Sequence, residues 1–133
     1  MSDPSASADP DLREADRILA RAADDLESLL RRAAPRLRPF PPVPGALFSS
    51  GVEVEAEGVR DRSLGCIVVT EEGELKELQI GFDAEGAGFG PPDPVSMREE
   101  RLVDVTLTPY DRLLLAEQGL RAVQALLARQ ADA

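Results

Sequence analysis

Two long amphipathic segments, one near each end of the chain, constrain its fold more than any other feature of the sequence. In each segment apolar residues recur at alternating steps of three and four, which places them on one stripe of a helix. The first stripe is Leu12, Ala15, Leu19, Ala22, Leu26, Leu29 and Ala33, and the second is Leu113, Ala116, Leu120, Val123 and Leu127. Both stripes must be buried, either against the rest of the chain or against a partner.

Local signals predict where these helices begin and end. Asp9 and Thr108 can each act as an N-cap, and each is followed by a proline, which is favoured at the first helical position. Pro35 disfavours helical geometry at the residue before it and should end the first helix. The predicted helices therefore span residues 10–34 and 109–130.

Short segments of alternating or β-branched residues lie between the two helices. They predict four strands, within 52–57, 64–70, 75–82 and 102–107. Gly73 can adopt a positive φ, so the second and third strands should form a hairpin over 64–82. This order predicts an α+β fold with an N-terminal helix, a four-stranded, mainly antiparallel meander sheet and a C-terminal helix. Both helices should pack on one sheet face.

The chain length of 133 residues fits one domain. We expect a disordered N-terminal tail at 1–9 and a single domain at 10–133. Five prolines within 35–44 predict a stiff, extended crossover. Glycine and proline are also frequent in 83–95, which predicts a long loop that contacts a partner through Phe89.

The composition argues against the commonest kinds of active site. The chain contains no histidine, which removes the usual general base and the commonest metal ligand. Cys66 is the single cysteine, so neither a disulfide nor a Cys/His zinc shell can form within the chain. A small buried hydrophobe is the favoured interpretation of this cysteine. We therefore expect a protein that is not an enzyme, with no catalytic residue, no metal and no cofactor.

Charge and residue usage indicate the kind of partner and the source. The net charge is −10, from 25 acidic and 15 basic residues, which disfavours nucleic acid and anionic membranes and favours basic partners. Arginine outnumbers lysine strongly and asparagine is absent, which is typical of a GC-rich bacterial genome. We expect a cytoplasmic protein, because the sequence has no basic, apolar leader and no apolar segment of membrane-spanning length.

Two groups of residues are candidate contact surfaces. The helical stripes can pack on the sheet and also form the interface of a homodimer or of a complex with another protein. The residues predicted for this interface are Leu12, Leu19, Leu26, Leu113, Leu120 and Leu127. A positive patch suits a phosphate or an acidic partner, although it can equally satisfy the helix C-terminus. It comprises Arg31, Arg32, Arg36 and Arg38.

A second cluster of charged residues is interpreted as a solvated strand face. Glu53, Glu55 and Glu57 alternate with apolar residues, so they should lie on one side of an edge strand. Alternate strand residues are about 6.6 Å apart, which is too far for three of them to bind one ion without help from other elements.

These observations favour a non-catalytic protein-interaction module: a small acidic homodimeric adaptor, assembly factor or chaperone-like protein. By size and acidity the chain resembles the small secretion chaperones. Its predicted partners are a second copy of itself and another protein.

Two alternatives remain open. The segment 65–75, together with the order helix, strand meander, helix, resembles the YbaB/EbfC nucleoid proteins, although the proline-rich segment and the extra strands depart from them. This resemblance implies a nucleoid-associated DNA-binding protein in which the patch within 31–38 contacts phosphate. The second alternative is a small-ligand binder or enzyme that uses the 83–101 loop, with Asp83, Glu85, Arg98 and Arg101 as its polar groups.

Overall fold

The computed structural model describes residues 9–82 and 98–133. In this part of the chain the elements are, in order, helix α1 (Pro10–Ala33), a 3-10 turn (Ala34–Arg36), strands β1 (Val52–Val54), β2 (Cys66–Val69), β3 (Leu75–Phe82) and β4 (Arg98–Val103), and helix α2 (Pro109–Ala131). The strands form one antiparallel sheet in the order β1-β2-β3-β4. The predicted α+β fold, with a meander sheet between two terminal helices, is confirmed.

Both helices begin at the predicted caps. The Asp9 carboxylate accepts a hydrogen bond of 2.8 Å from the Asp11 N–H. The Thr108 hydroxyl accepts one of 3.3 Å from the Asp111 N–H. These bonds satisfy donors that have no partner inside the helix, so the local sequence alone selects the start of each helix. At the other end of α1 the chain tightens into the 3-10 turn, whose second residue is Pro35.

Two predicted strand boundaries are wrong. The first strand ends at Val54, because Ala56 has a φ of 61° and cannot continue an extended strand. The last strand was expected at 102–107 but lies at Arg98–Val103, where its first residue pairs with Phe82 and its last with Glu77. Each residue of β4 lies opposite a residue of β3, so the position of this strand depends on pairing across the sheet as well as on its own sequence.

The main core lies between the two helices and one face of the sheet. Its largest buried side chains come from α1, β2 and α2, and they include Leu30, Ile67, Val69, Leu115 and Val123. Gly119 lets α2 approach the sheet closely, because a Cβ atom there would lie 2.8 Å from Val69 Cγ2. The apolar stripes of both helices therefore serve first as packing faces for the chain's own sheet.

The segment that follows α1 covers part of the opposite sheet face. Val43 is buried there with Val68 and Leu78. Gly51 allows this contact, because a Cβ atom at that position would lie 2.9 Å from Val43 Cγ2. The proline-rich segment thus carries the chain from the helical side of the sheet to its other face.

In the part of the chain that the structure describes, neither helix combines the length and the apolar character needed to span a membrane.

The turn between β2 and β3 generates a stability prediction. Gly73 has a φ of 85°, and a Cβ atom there would lie 2.5 Å from the Leu30 carbonyl oxygen. Gly73→Ala should therefore lower the free energy of unfolding by more than about 2 kcal/mol, because it combines backbone strain with a clash against α1. Urea unfolding followed by circular dichroism measures the change.

Gly81→Ala is the matched control, since nothing lies within 4 Å of a Cβ atom at Gly81. Equal stabilities for the two variants would show that the turn does not have to fit against α1.

Candidate interaction surface

The first part of α1 projects beyond the body of the protein. All nine residues from Pro10 to Ile18 are exposed, on every face of the helix, and the first fully buried residue of α1 is Ala23. We call residues 10–22 the projecting segment. It is about 20 Å long at 1.5 Å per residue.

Contacts between the helices explain where the body begins. Arg112, in the first turn of α2, donates from Nε to Glu27 at 3.0 Å and also pairs with Asp24. These hydrogen bonds to Glu27 and Asp24 raise the pKa of Arg112. Near the end of α2, Gln130 accepts a hydrogen bond of 2.9 Å from the Arg38 N–H. The two helices therefore run side by side from Asp24 onward, and the projecting segment lies before the first of these contacts.

The projecting segment carries an apolar stripe into solvent. Leu12, Leu19, Leu26 and Ala33 recur every seven residues, so they lie on one face of α1. Ala33 is buried, Leu26 packs on the main core and Leu19 is half-buried, but Leu12 is 65% exposed. Ile18, which widens the stripe, is 61% exposed. The face that forms the core in the second half of α1 is thus half-buried at Leu19 and exposed at Leu12.

The rim of this stripe is acidic. At 3.6 residues per turn, Asp9 and Asp16 lie along one edge of the stripe, and Asp11 and Asp25 lie along the other. All four carboxylates belong to exposed residues. The basic residues of the same segment lie on the opposite face of the helix, and they are Arg13, Arg17 and Arg21.

The six leucines predicted for an interface have different environments. Leu26, Leu120 and Leu127 pack against the main core, and Leu113 is also half-buried. Packing within the chain therefore explains most of the apolar periodicity of the two helices. Of the six, Leu12 belongs to the exposed class, and Ile18 adds an exposed side chain that was not among the predicted six.

The predicted arginine patch lies at the other end of α1. Its four residues are exposed and come from the last turn of α1 and the segment after it: Arg31, Arg32, Arg36 and Arg38. Within residues 9–82 and 98–133 none of their guanidinium groups forms an ion pair. The proposed loop contact through Phe89 lies outside the described residues.

Two other groups considered in the sequence, the glutamates of the first strand and the single cysteine, lie within the described residues, whereas Asp83 and Glu85 lie outside them. Glu53, Glu55 and Glu57 are exposed, and the described residues contain no group of side chains that could hold a metal ion. Cys66 is half-buried, and its burial raises the pKa of the thiol, with a smaller effect from Glu53 and Glu77. A raised pKa makes a thiol a poor nucleophile at neutral pH.

Glu100 holds the segment that covers the second sheet face. The sequence did not indicate this role of Glu100. Its carboxylate accepts hydrogen bonds from the Leu47 N–H at 2.7 Å, the Phe48 N–H at 2.8 Å and the Ser49 hydroxyl at 2.9 Å. Arg98 Nε lies 2.8 Å from the same carboxylate. Burial alone would raise the pKa of Glu100, but these partners outweigh it and lower the pKa to about 2.

No protein family, no curated protein and no solved structure matches the chain.

Glu100 predicts a specific acid sensitivity. Because its folded-state pKa of about 2 lies below the ordinary value of 4.5, its contribution to stability is complete above 4.5 and is lost as the pH falls toward 2. As the pH is lowered through this window, the free energy of unfolding of Glu100→Gln should therefore fall less steeply than that of the unmodified protein. Urea unfolding at a series of pH values measures the slope.

Glu99→Gln, on the exposed side of the same strand, should keep the steeper slope of the unmodified protein. Identical slopes for all three proteins would mean that Glu100 does not hold the loop at neutral pH.

Proposed function

We propose that the protein is a non-catalytic interaction module, a small acidic adaptor, assembly factor or chaperone-like protein of the cytoplasm, which binds another protein through the projecting segment. The observation that carries the proposal is the continuation of the core stripe of α1 past the core, from Leu19 to Leu12. Within the described residues, neither Leu12 nor Ile18 packs on a core cluster.

The energetics of the projecting segment support this role. Burying the exposed parts of Leu12 and Ile18 gains about 25 cal/mol for each Å² of apolar surface removed from water. Isolated helices shorter than about 12–15 residues are marginal in water, so a partner that packs on the segment would also stabilise its helical state. An amphipathic helix that lays its apolar face on a partner is a recurrent mode of protein recognition.

The homodimer predicted from the sequence would need a surface other than the projecting segment. If two copies paired there in antiparallel orientation, each Asp16 would face its own equivalent. In parallel orientation, Asp16 of one copy would lie beside Asp11 of the other. Like charges at such flanking positions oppose pairing.

The arginine patch favours nucleic-acid binding as a second candidate function. Its four exposed guanidinium groups, unpaired within the described residues, are a local positive surface on an acidic protein. In a gel-shift assay at low salt, Arg31→Gln/Arg32→Gln should then weaken binding to duplex DNA, and added salt should weaken binding by the unmodified protein. Failure of the unmodified protein to bind DNA at low salt would exclude this candidate.

The interaction proposal is tested by removing the exposed apolar side chains. Leu12→Gln/Ile18→Gln should abolish capture of the partner from an extract of the source cells, because it removes the apolar contact while keeping good helix formers. Both positions are exposed, so stability should change by no more than about 0.5 kcal/mol. Mass spectrometry compares the captured proteins.

Ile80→Gln is the matched control, since Ile80 is also a large exposed apolar residue but lies on β3. This variant should capture the same partner as the unmodified protein. Light scattering should give the same mass for all three proteins. Undiminished capture by Leu12→Gln/Ile18→Gln would refute the role of the projecting segment.

A further inference from the structure

We infer that the surface bound by the projecting segment is a basic amphipathic helix of another protein, with large apolar residues on one face and lysine or arginine along both edges. This inference rests on the proposed function and adds the chemical class of the partner. Three properties of the described residues lead to it: the spacing of the stripe, the sizes of its side chains and the charges at its rim.

The spacing of the stripe fits a helix. Leu12, Ala15, Leu19 and Ala22 follow one another at steps of three, four and three, which is the pattern of a helix–helix seam. The interior backbone of α1 is already hydrogen-bonded within the helix, so it has no free edge to which a strand could be added. A helical partner fits both the spacing of the stripe and the absence of a free backbone edge.

The sizes of the side chains indicate large apolar residues on the partner. Leucine alternates with alanine along the seam, so Ala15 and Ala22 leave space between the larger side chains. A leucine, isoleucine or methionine from a facing helix can enter such a space and bury more apolar surface than a small residue would.

The charges at the rim determine the sign of the partner. Several acidic residues of α1 already have basic partners: Glu14 pairs with Arg17 at 2.7 Å, and Asp24 and Glu27 pair with Arg112. Within the described part of the chain, the rim acids have no ion-pair partner, and these are Asp9, Asp11, Asp16 and Asp25. The unpaired acids thus coincide with the positions that flank a seam, where a partner's lysine or arginine would lie.

The same charges disfavour the other possible occupants of this surface. A second copy would bring acidic rim against acidic rim. An anionic membrane would meet the same repulsion, since membrane-surface helices carry basic residues beside their apolar face. A basic helix is favoured in addition by the net charge of −10, which speeds the approach of a basic partner.

Synthetic peptides test the inference on the full chain. The basic probe is a fluorescent 21-residue helical peptide with leucine at its seam positions and lysine at the flanking ones. The acidic probe carries glutamate instead of lysine, and a scrambled probe has the composition of the basic one. By fluorescence anisotropy the basic probe should bind at least tenfold more tightly than either of the others. Its affinity should fall as salt is raised from 50 to 300 mM.

Variants of the protein separate charge from apolar contact. Asp16→Asn/Asp25→Asn should weaken binding of the basic probe at least threefold, because it removes two rim charges with little change in helix propensity. Glu71→Gln/Glu72→Gln removes the same net charge from the exposed turn between β2 and β3 and should change binding less than twofold. Leu12→Gln/Ile18→Gln should abolish binding.

Each remaining outcome has one meaning. Equal binding of basic and acidic probes, lost in Leu12→Gln/Ile18→Gln, would overturn the inferred partner charge and leave the proposed surface intact. Binding of the basic probe that survives Leu12→Gln/Ile18→Gln would overturn both. If no probe binds at 100 µM, the inference fails, and the capture experiment alone then decides the proposed function.

Discussion

The burial of α1 against α2 and the sheet, from Ala23 onward, is the constraint on which the rest of the structure depends. Leu30 lies at its centre, and two glycines allow other elements to reach it. A Cβ atom at Gly119 would lie 3.7 Å from Leu30 Cδ1, and one at Gly73 would lie 2.5 Å from the Leu30 carbonyl oxygen. The turn between β2 and β3 and helix α2 therefore both pack against the same level of α1.

A single helix therefore has two environments along one apolar face. In the body the face is covered by the chain's own sheet and by α2, and the acids nearest α2, Asp24 and Glu27, are paired with Arg112. In the projecting segment the apolar face and the flanking acids are left to solvent. The proposed interaction depends on this combination, because a surface that offers both burial and unpaired charge selects a partner by shape and by sign.

The local features of the fold could be predicted because their causes lie within a few residues. The Asp9 and Thr108 caps and the turn at Gly73 each depend on the conformation of one short segment. The position of β4 could not be predicted in this way, because it depends on pairing with β3. Glu100 was missed for a related reason: its partners Leu47 and Phe48 are more than 50 residues away in sequence.

The sequence by itself determined the elements of this protein, their order and the apolar stripes that pack them, since periodicity and capping act over short distances. Only the tertiary structure decided which part of each stripe is covered. Leu12 and Leu26 have the same place in the pattern, yet Leu12 is exposed and Leu26 packs on the core. The difference arises because α2 reaches α1 at Asp24, a position that depends on how distant elements pack and not on the pattern itself.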